Sequence, residues 1–151
     1  MRLVVVGASL AGLRAARAAR GAGHDGELVV VGAERHPPYT RPPLSKELLA
    51  GVQEADACAF PCDDLDVTWR LGEPATGLDL AAREVVLEGG ERIGFDRLVI
   101  ATGCRAREWT GPGAGLDGVH TIRDLDDALA LRAALTAEPA PRLAVVCAGF
   151  V

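Results

Sequence analysis

The sequence predicts an α/β fold: a parallel sheet with flanking helices and a small antiparallel β-meander. Three observations predict it. An apolar run, Leu3–Val6, enters a turn, Gly7-Ala8-Ser9-Leu10-Ala11-Gly12, and then an Ala/Arg-rich helical stretch. A second apolar run, Glu27–Val31, follows a crossover long enough to make the two runs parallel neighbours. Short alternating runs between residues 67 and 93 are interrupted by Gly89-Gly90, a hairpin signal.

A short continuous apolar run closed by glycine suits a strand buried on both faces, which fits Leu3–Val6. Over Leu10–Arg20 a helix puts Leu10, Leu13 and Ala16 on one face and Arg14, Arg17 and Arg20 towards another, with Gly21 and Gly23 ending it. Pro37, Pro38, Pro42 and Pro43 exclude a regular helix or a central strand over residues 35–44. Ser45 is the expected N-cap of a short helix, Lys46–Ala50, ended by Gly51, and residues 52–64 read as irregular. Val67–Leu71, Ala75–Leu80, Glu84–Glu88 and Glu91–Ile93 read as the meander, after which Arg97–Ala101 returns as an apolar strand ending in Ala101-Thr102-Gly103. Gly111–Gly118 marks a boundary. Asp124 is the expected cap of a helix over Leu125–Leu135, and Glu138-Pro139-Ala140-Pro141 is a linker. Leu143–Val146 reads as a further strand, opening a second turn at Cys147–Val151. The expected organisation is a nucleotide-binding domain over 1–110, a connecting segment with a helix over 111–141, and the start of a second nucleotide-binding domain over 142–151.

Composition narrows the functional classes. The chain has 151 residues, 49% hydrophobic and 25% charged, enough for one globular domain with a sizeable core. A net charge of −5 argues against a broad nucleic-acid-binding face. No apolar stretch reaches membrane-spanning length, so no membrane association is expected. The N-terminal apolar run is broken by Gly7 and Ser9 and then by three arginines, a strand–helix pattern rather than a secretory leader, so a cytoplasmic protein is expected. Cys58, Cys62, Cys104 and Cys147 have neither zinc-ligand nor redox-dithiol spacing and read as unrelated thiols; a Cys58/Cys62 redox pair is the functional alternative.

The turn after the first strand carries the chemistry. Glycines let a backbone approach a pyrophosphate closely, and the following helix N-terminus offers open amides and a positive dipole end. Gly7-x-Ser9-x-x-Gly12 has Ser9 where the usual fingerprint has its middle glycine, but it lies between a strand and a helix, as that motif requires. Glu34 follows Gly12 by 22 positions, just past the second strand, where an acid accepts hydrogen bonds from an adenosine ribose. Together these read as a Rossmann-like dinucleotide site; the bland alternative is a tight connection with a solvated glutamate. Tyr39-Thr40-Arg41-Pro42-Pro43-Leu44-Ser45-Lys46 sets two cations on a proline-stiffened loop, either to neutralise a bound cofactor or as ordinary solvated charges.

Four segments occur in order: Val4–Leu13, Pro38–Lys46, Phe95–Gly103 and Thr121–Ala128. Together they resemble the FAD-dependent ferredoxin, putidaredoxin and rubredoxin reductases that serve cytochrome P450s and aromatic-ring dioxygenases. The resemblance spans the chain but only about the first third of such an enzyme. It implies FAD as cofactor, NAD(P)H as electron source with its site mostly missing from this chain, and a small iron–sulfur protein as partner. It implies that Gly7, Ser9, Ala11 and Gly12 line the FAD pyrophosphate and that Glu34 holds the adenosine ribose. Arg41 and Lys46 would approach the pyrophosphate and isoalloxazine, with Pro43 against the ring. Ala75 would reach the adenine through its backbone, Thr102 and Gly103 would close over the cofactor, and Arg123 would contact it from the connecting segment. No catalytic side chain and no metal ligand is implied. Cys147 departs from the pattern, standing where the second turn usually has glycine. The competing readings are a non-catalytic FAD-binding fragment and a related flavin enzyme of the nitrite-reductase or NADH-oxidase type.

Overall fold

A computed structural model describes residues 1–137, 139 and 141–146. Packing divides the chain into two compact units, Met1–Tyr39 with Ala59–Gly103, and Thr40–Cys58 with Cys104–Val151.

The first unit holds every strand described. β1 (Leu3–Val6), α1 (Leu10–Gly21) and β2 (Leu28–Gly32) form the expected β–α–β unit, followed by β3 (Thr68–Leu71), β4 (Ala75–Asp79), β5 (Glu84–Leu87), β6 (Arg92–Gly94) and β7 (Arg97–Ile100). A four-stranded parallel sheet has the order β3-β2-β1-β7, with Val6 opposite both Val31 and Ile100. β4-β5-β6 form a separate antiparallel sheet whose β5–β6 turn contains Gly90 at φ +82°.

β3 corrects one expectation. The run Val67–Leu71 does not belong to the meander but pairs in parallel with β2, Thr68 opposite Val29 and Leu71 opposite Gly32. Side-chain alternation has the same period in parallel and antiparallel pairs, so it could not choose the partner. Placement follows instead from packing: Leu65, Val67 and Trp69 lie against the same apolar cluster as α1.

The parallel sheet is covered on both faces, which is why β1 and β2 are continuously apolar. On one face Val4, Val6, Val29 and Val31 meet Val85, Leu87 and Ile93 of the meander. On the other, Leu3, Val5, Leu28 and Val30 meet Ala16 of α1. Val4, Val5 and Val30 are fully buried, each worth roughly 1.5–3 kcal/mol on transfer from water.

In the second unit α2 (Leu125–Leu135) packs on a 3₁₀ turn, Pro42–Ser45, and Leu44, Leu48, Leu125 and Ala128 are buried. Here Ser45 is the last residue of that turn rather than the cap of a following helix; Lys46–Ala50 forms only hydrogen-bonded turns. Proline needs no acceptor for its nitrogen, so Pro42 and Pro43 can open a helical turn that they could not continue into. Asp124 caps α2 as expected. Its side chain accepts from Asp127 N–H at 2.9 Å, and Asp127 returns a carboxylate to Asp124 N–H at 3.3 Å.

The expected strand Leu143–Val146 is not formed. Residues 141–146 are exposed and pair with none of the described strands, so no ladder fixes them as extended chain. The second glycine turn, Cys147–Val151, lies outside the described residues. Among those described, no helix is long and apolar enough to cross a membrane.

Candidate functional site

The site residues of the first unit gather at the C-terminal ends of the parallel strands. Gly7 leaves β1 at φ +119°, and its N–H donates to Val31 O at 2.7 Å. On the opposite side Ala101 N–H donates to Val6 O at 2.7 Å. The turn is thus clamped between the ends of β2 and β7, at the crevice where open α/β sheets bind ligands. A Cβ on Gly7 would lie 2.1 Å from Ala101 O, one on Gly12 1.8 Å from Gly7 O, and one on Gly32 2.5 Å from Ala8 Cβ. Only glycine lets strand, turn and helix approach this closely.

Ser9 is the N-cap of α1 with extended backbone, φ −113° and ψ −164°, and its side chain makes no capping bond. The first helical bond is Leu13 N–H to Ser9 O at 2.9 Å. The amides of Leu10, Ala11 and Gly12 therefore stand at the open helix end, and the first turn carries no acidic side chain. That donor set, with glycines at both ends of the turn, fits a pyrophosphate.

Glu34 lies two residues past β2. Its carbonyl accepts from Gly72 N–H at 2.8 Å, tying it to the end of β3. Tyr39 Oη donates to Glu34 Oε2. The phenol ring is buried, with His36 edge-on to it at 6.4 Å between centroids and 84° between planes. Ala75 opens β4 opposite Leu87 and packs on the valine cluster. Thr102 and Gly103 leave β7 as exposed chain, Gly103 at φ +67°.

The remaining site residues lie in the second unit. Arg41 Nη1 donates to the carbonyl oxygen of Arg123. Arg123 Nε in turn donates to Cys104 O at 3.0 Å, and its N–H to Asp127 Oδ2 at 2.8 Å. Lys46 Nζ lies 3.3 Å from both Pro42 O and Ser45 Oγ. Pro43 O accepts from Lys46 N–H and Leu48 N–H, both at 3.0 Å, which fixes the proline face of the turn. Arg41, Pro43, Lys46 and Arg123 thus form one hydrogen-bonded neighbourhood built from segments 82 positions apart.

One feature escaped the sequence: the bond from Tyr39 to Glu34 depends on the path of His36-Pro37-Pro38, which no spacing rule supplies. Cys58 and Cys62 are both buried free thiols, and burial pushes each above the ordinary thiol range, which suppresses the thiolate that a redox pair needs. A separate hollow lined by Glu73, Glu88 and Glu91 holds none of the site residues.

Residues 1–151 match the model of a family described as pyridine nucleotide-disulphide oxidoreductase. A ferredoxin–NAD(+) reductase component of the biphenyl dioxygenase system from Paraburkholderia xenovorans is 41% identical, over 99% of this chain and 37% of that protein. The ferredoxin–NAD(+) reductase component of a p-cumate 2,3-dioxygenase system from Pseudomonas putida is 37% identical over 99% of the chain and 38% of its own length. Among solved structures, putidaredoxin reductase in its covalent complex with putidaredoxin superposes with a TM-score of 0.82 at 31% identity, covering 91% of this chain and 34% of that one. The chain spans little more than a third of the relatives it matches.

Proposed function

The chain belongs to the pyridine nucleotide-disulphide oxidoreductase family, and we propose that the protein it is part of is an FAD-dependent NAD(P)H:ferredoxin reductase. In this reading FAD takes a hydride from NAD(P)H and passes single electrons to a small iron–sulfur protein of the ferredoxin or rubredoxin type. This chain supplies the binding of the cofactor.

The single observation that carries the reading is the Gly7–Gly12 turn. Its Cβ positions are filled by backbone, its helix end is open, and Glu34 stands at the end of the neighbouring strand. The amides of Leu10, Ala11 and Gly12 would donate to the pyrophosphate, with Gly7, Ser9, Ala11 and Gly12 as its wall. Glu34 would accept from the adenosine ribose, and the Ala75 backbone would meet the adenine. Thr102 and Gly103 would close over the cofactor from the end of β7. Arg41, Lys46 and Arg123 would supply positive charge towards its phosphates and reduced ring, with Pro43 as an apolar wall. NAD(P)H would be held by parts of the protein that follow the second turn. A cytoplasmic setting fits this reading, because a reduced nicotinamide nucleotide is the electron source.

The test is reconstitution. The purified full-length protein should be yellow, release FAD on acidification, and regain the colour when apo-protein is titrated with FAD. Protein that is colourless and takes up no FAD refutes the reading.

A further inference from the structure

We propose that Tyr39 is a positioning residue for Glu34, its phenol holding one carboxylate oxygen so that the carboxylate engages the adenosine ribose of the bound nucleotide. The inference rests on the reading of Glu34 given above and adds to it the group that orients the acid.

A carboxylate on a loop can rotate about its side-chain torsions, and each torsion it must freeze on binding costs affinity. Here both partners are anchored independently. The backbone of Glu34 is tied to the end of β3 through Gly72, and Gly32 O receives Glu73 N–H at 2.9 Å beside it. Tyr39 is held by an antiparallel bridge to Ala59, next to the bond from Phe60 N–H to Pro38 O at 2.8 Å. Tyr39 is 5% exposed, and its ring meets that of His36 nearly at right angles. The Oη–Oε2 contact therefore joins two fixed points, and the carboxylate between them is pre-set. A phenol also suits the task chemically. It donates to the carboxylate without adding a full positive charge, so the acid keeps its acceptor strength towards ribose hydroxyls.

The experiment titrates apo-protein of the full-length chain with FAD and with FAD lacking the adenosine 2′-hydroxyl. Wild type should prefer FAD by about tenfold, the equivalent of about 1.4 kcal/mol. Tyr39→Phe keeps the ring and removes only the donor. It should weaken FAD binding severalfold while leaving the deoxy analogue nearly unchanged, so that the preference collapses. In a Glu34→Ala background Tyr39→Phe should have no further effect. Circular dichroism of each apo-protein checks the fold. If Tyr39→Phe weakens both ligands equally, or leaves the preference intact, Tyr39 only packs and the proposal is overturned while the reading of Glu34 stands. If wild type shows no preference and Glu34→Ala binds FAD normally, the reading of Glu34 falls, and the positioning role with it.

Discussion

A Cβ on Gly7 would stand 2.1 Å from the carbonyl oxygen of Ala101. Ala101 lies in the first unit at the end of β7, where its N–H is bonded to Val6 O, so this oxygen cannot withdraw without breaking the β1–β7 ladder. Gly7 also sits at φ +119°, a backbone conformation that side-chain-bearing residues rarely adopt. Gly7→Ala should therefore destabilise the fold by more than the roughly 1–3 kcal/mol of backbone strain alone. The urea midpoint of the apo-protein reports it, and FAD uptake should fall in parallel. An unchanged midpoint would contradict the geometry.

The contrast between β1 and β3 shows what the sequence could carry. β1, α1 and β2 were legible because a continuous apolar run, a glycine turn and a helical stripe each have a local signature. β3 was legible as a strand, but its partner was decided by Trp69 and Val67 packing beside α1, a contact across some 50 positions of sequence. The site divides similarly. Glu34 could be placed by its spacing from Gly12, whereas the Arg41–Arg123 contact joins residues 82 positions apart and leaves no local trace. Pro42 and Pro43 exclude a regular helix, and none forms there; they still open a 3₁₀ turn, because a missing N–H matters only after the first turn.

Arg41 has a structural duty that can be tested apart from cofactor binding. Its guanidinium holds the Arg123 carbonyl, and Arg123 in turn holds Cys104 O, closing the exposed stretch 104–123 upon itself. Arg41→Met should cost about 1–3 kcal/mol if the carbonyl is left without a donor. Limited proteolysis should then cut within residues 104–123 several times faster than in wild type. Equal cleavage rates would show that the contact does not order the segment.

Asp124 offers a cleaner measurement. It accepts from Asp127 N–H, and Asp127 accepts from the N–H groups of Asp124 and Arg123, so one acid pair satisfies three donors. Asp124→Ala should cost about 1 kcal/mol, with Asp124→Asn recovering most of it. Hydrogen exchange of the first turn of α2 should rise in the alanine variant while α1 is unaffected. Exchange that does not change would mean that packing of Leu125 and Ala128, not the cap, sets the start of α2.

Arg70 should make the first unit sensitive to acid. Its Nε donates to Glu73 Oε1 at 2.6 Å, and its Nη1 and Nη2 reach Glu91 at 3.0 and 2.7 Å, joining β3 to the segment before β6. These hydrogen bonds hold the Glu73 and Glu91 carboxyls below the ordinary value of 4.5 and raise the guanidinium further. A carboxyl with a lowered native value stabilises the fold fully above its unfolded value, and loses that contribution as pH falls through the native one. The stabilisation should thus be complete near neutrality and decline below about pH 4.5. The carboxylates are solvent-facing, so the effect is small and weakens in salt. Arg70→Gln should lower the urea midpoint slightly at pH 7, and the difference from wild type should shrink at an acid pH well below 4.5, as the carboxyls take up protons. A difference that stays the same at the two pH values would show that Arg70 contributes through the packing of its stem on β3, not through its charge.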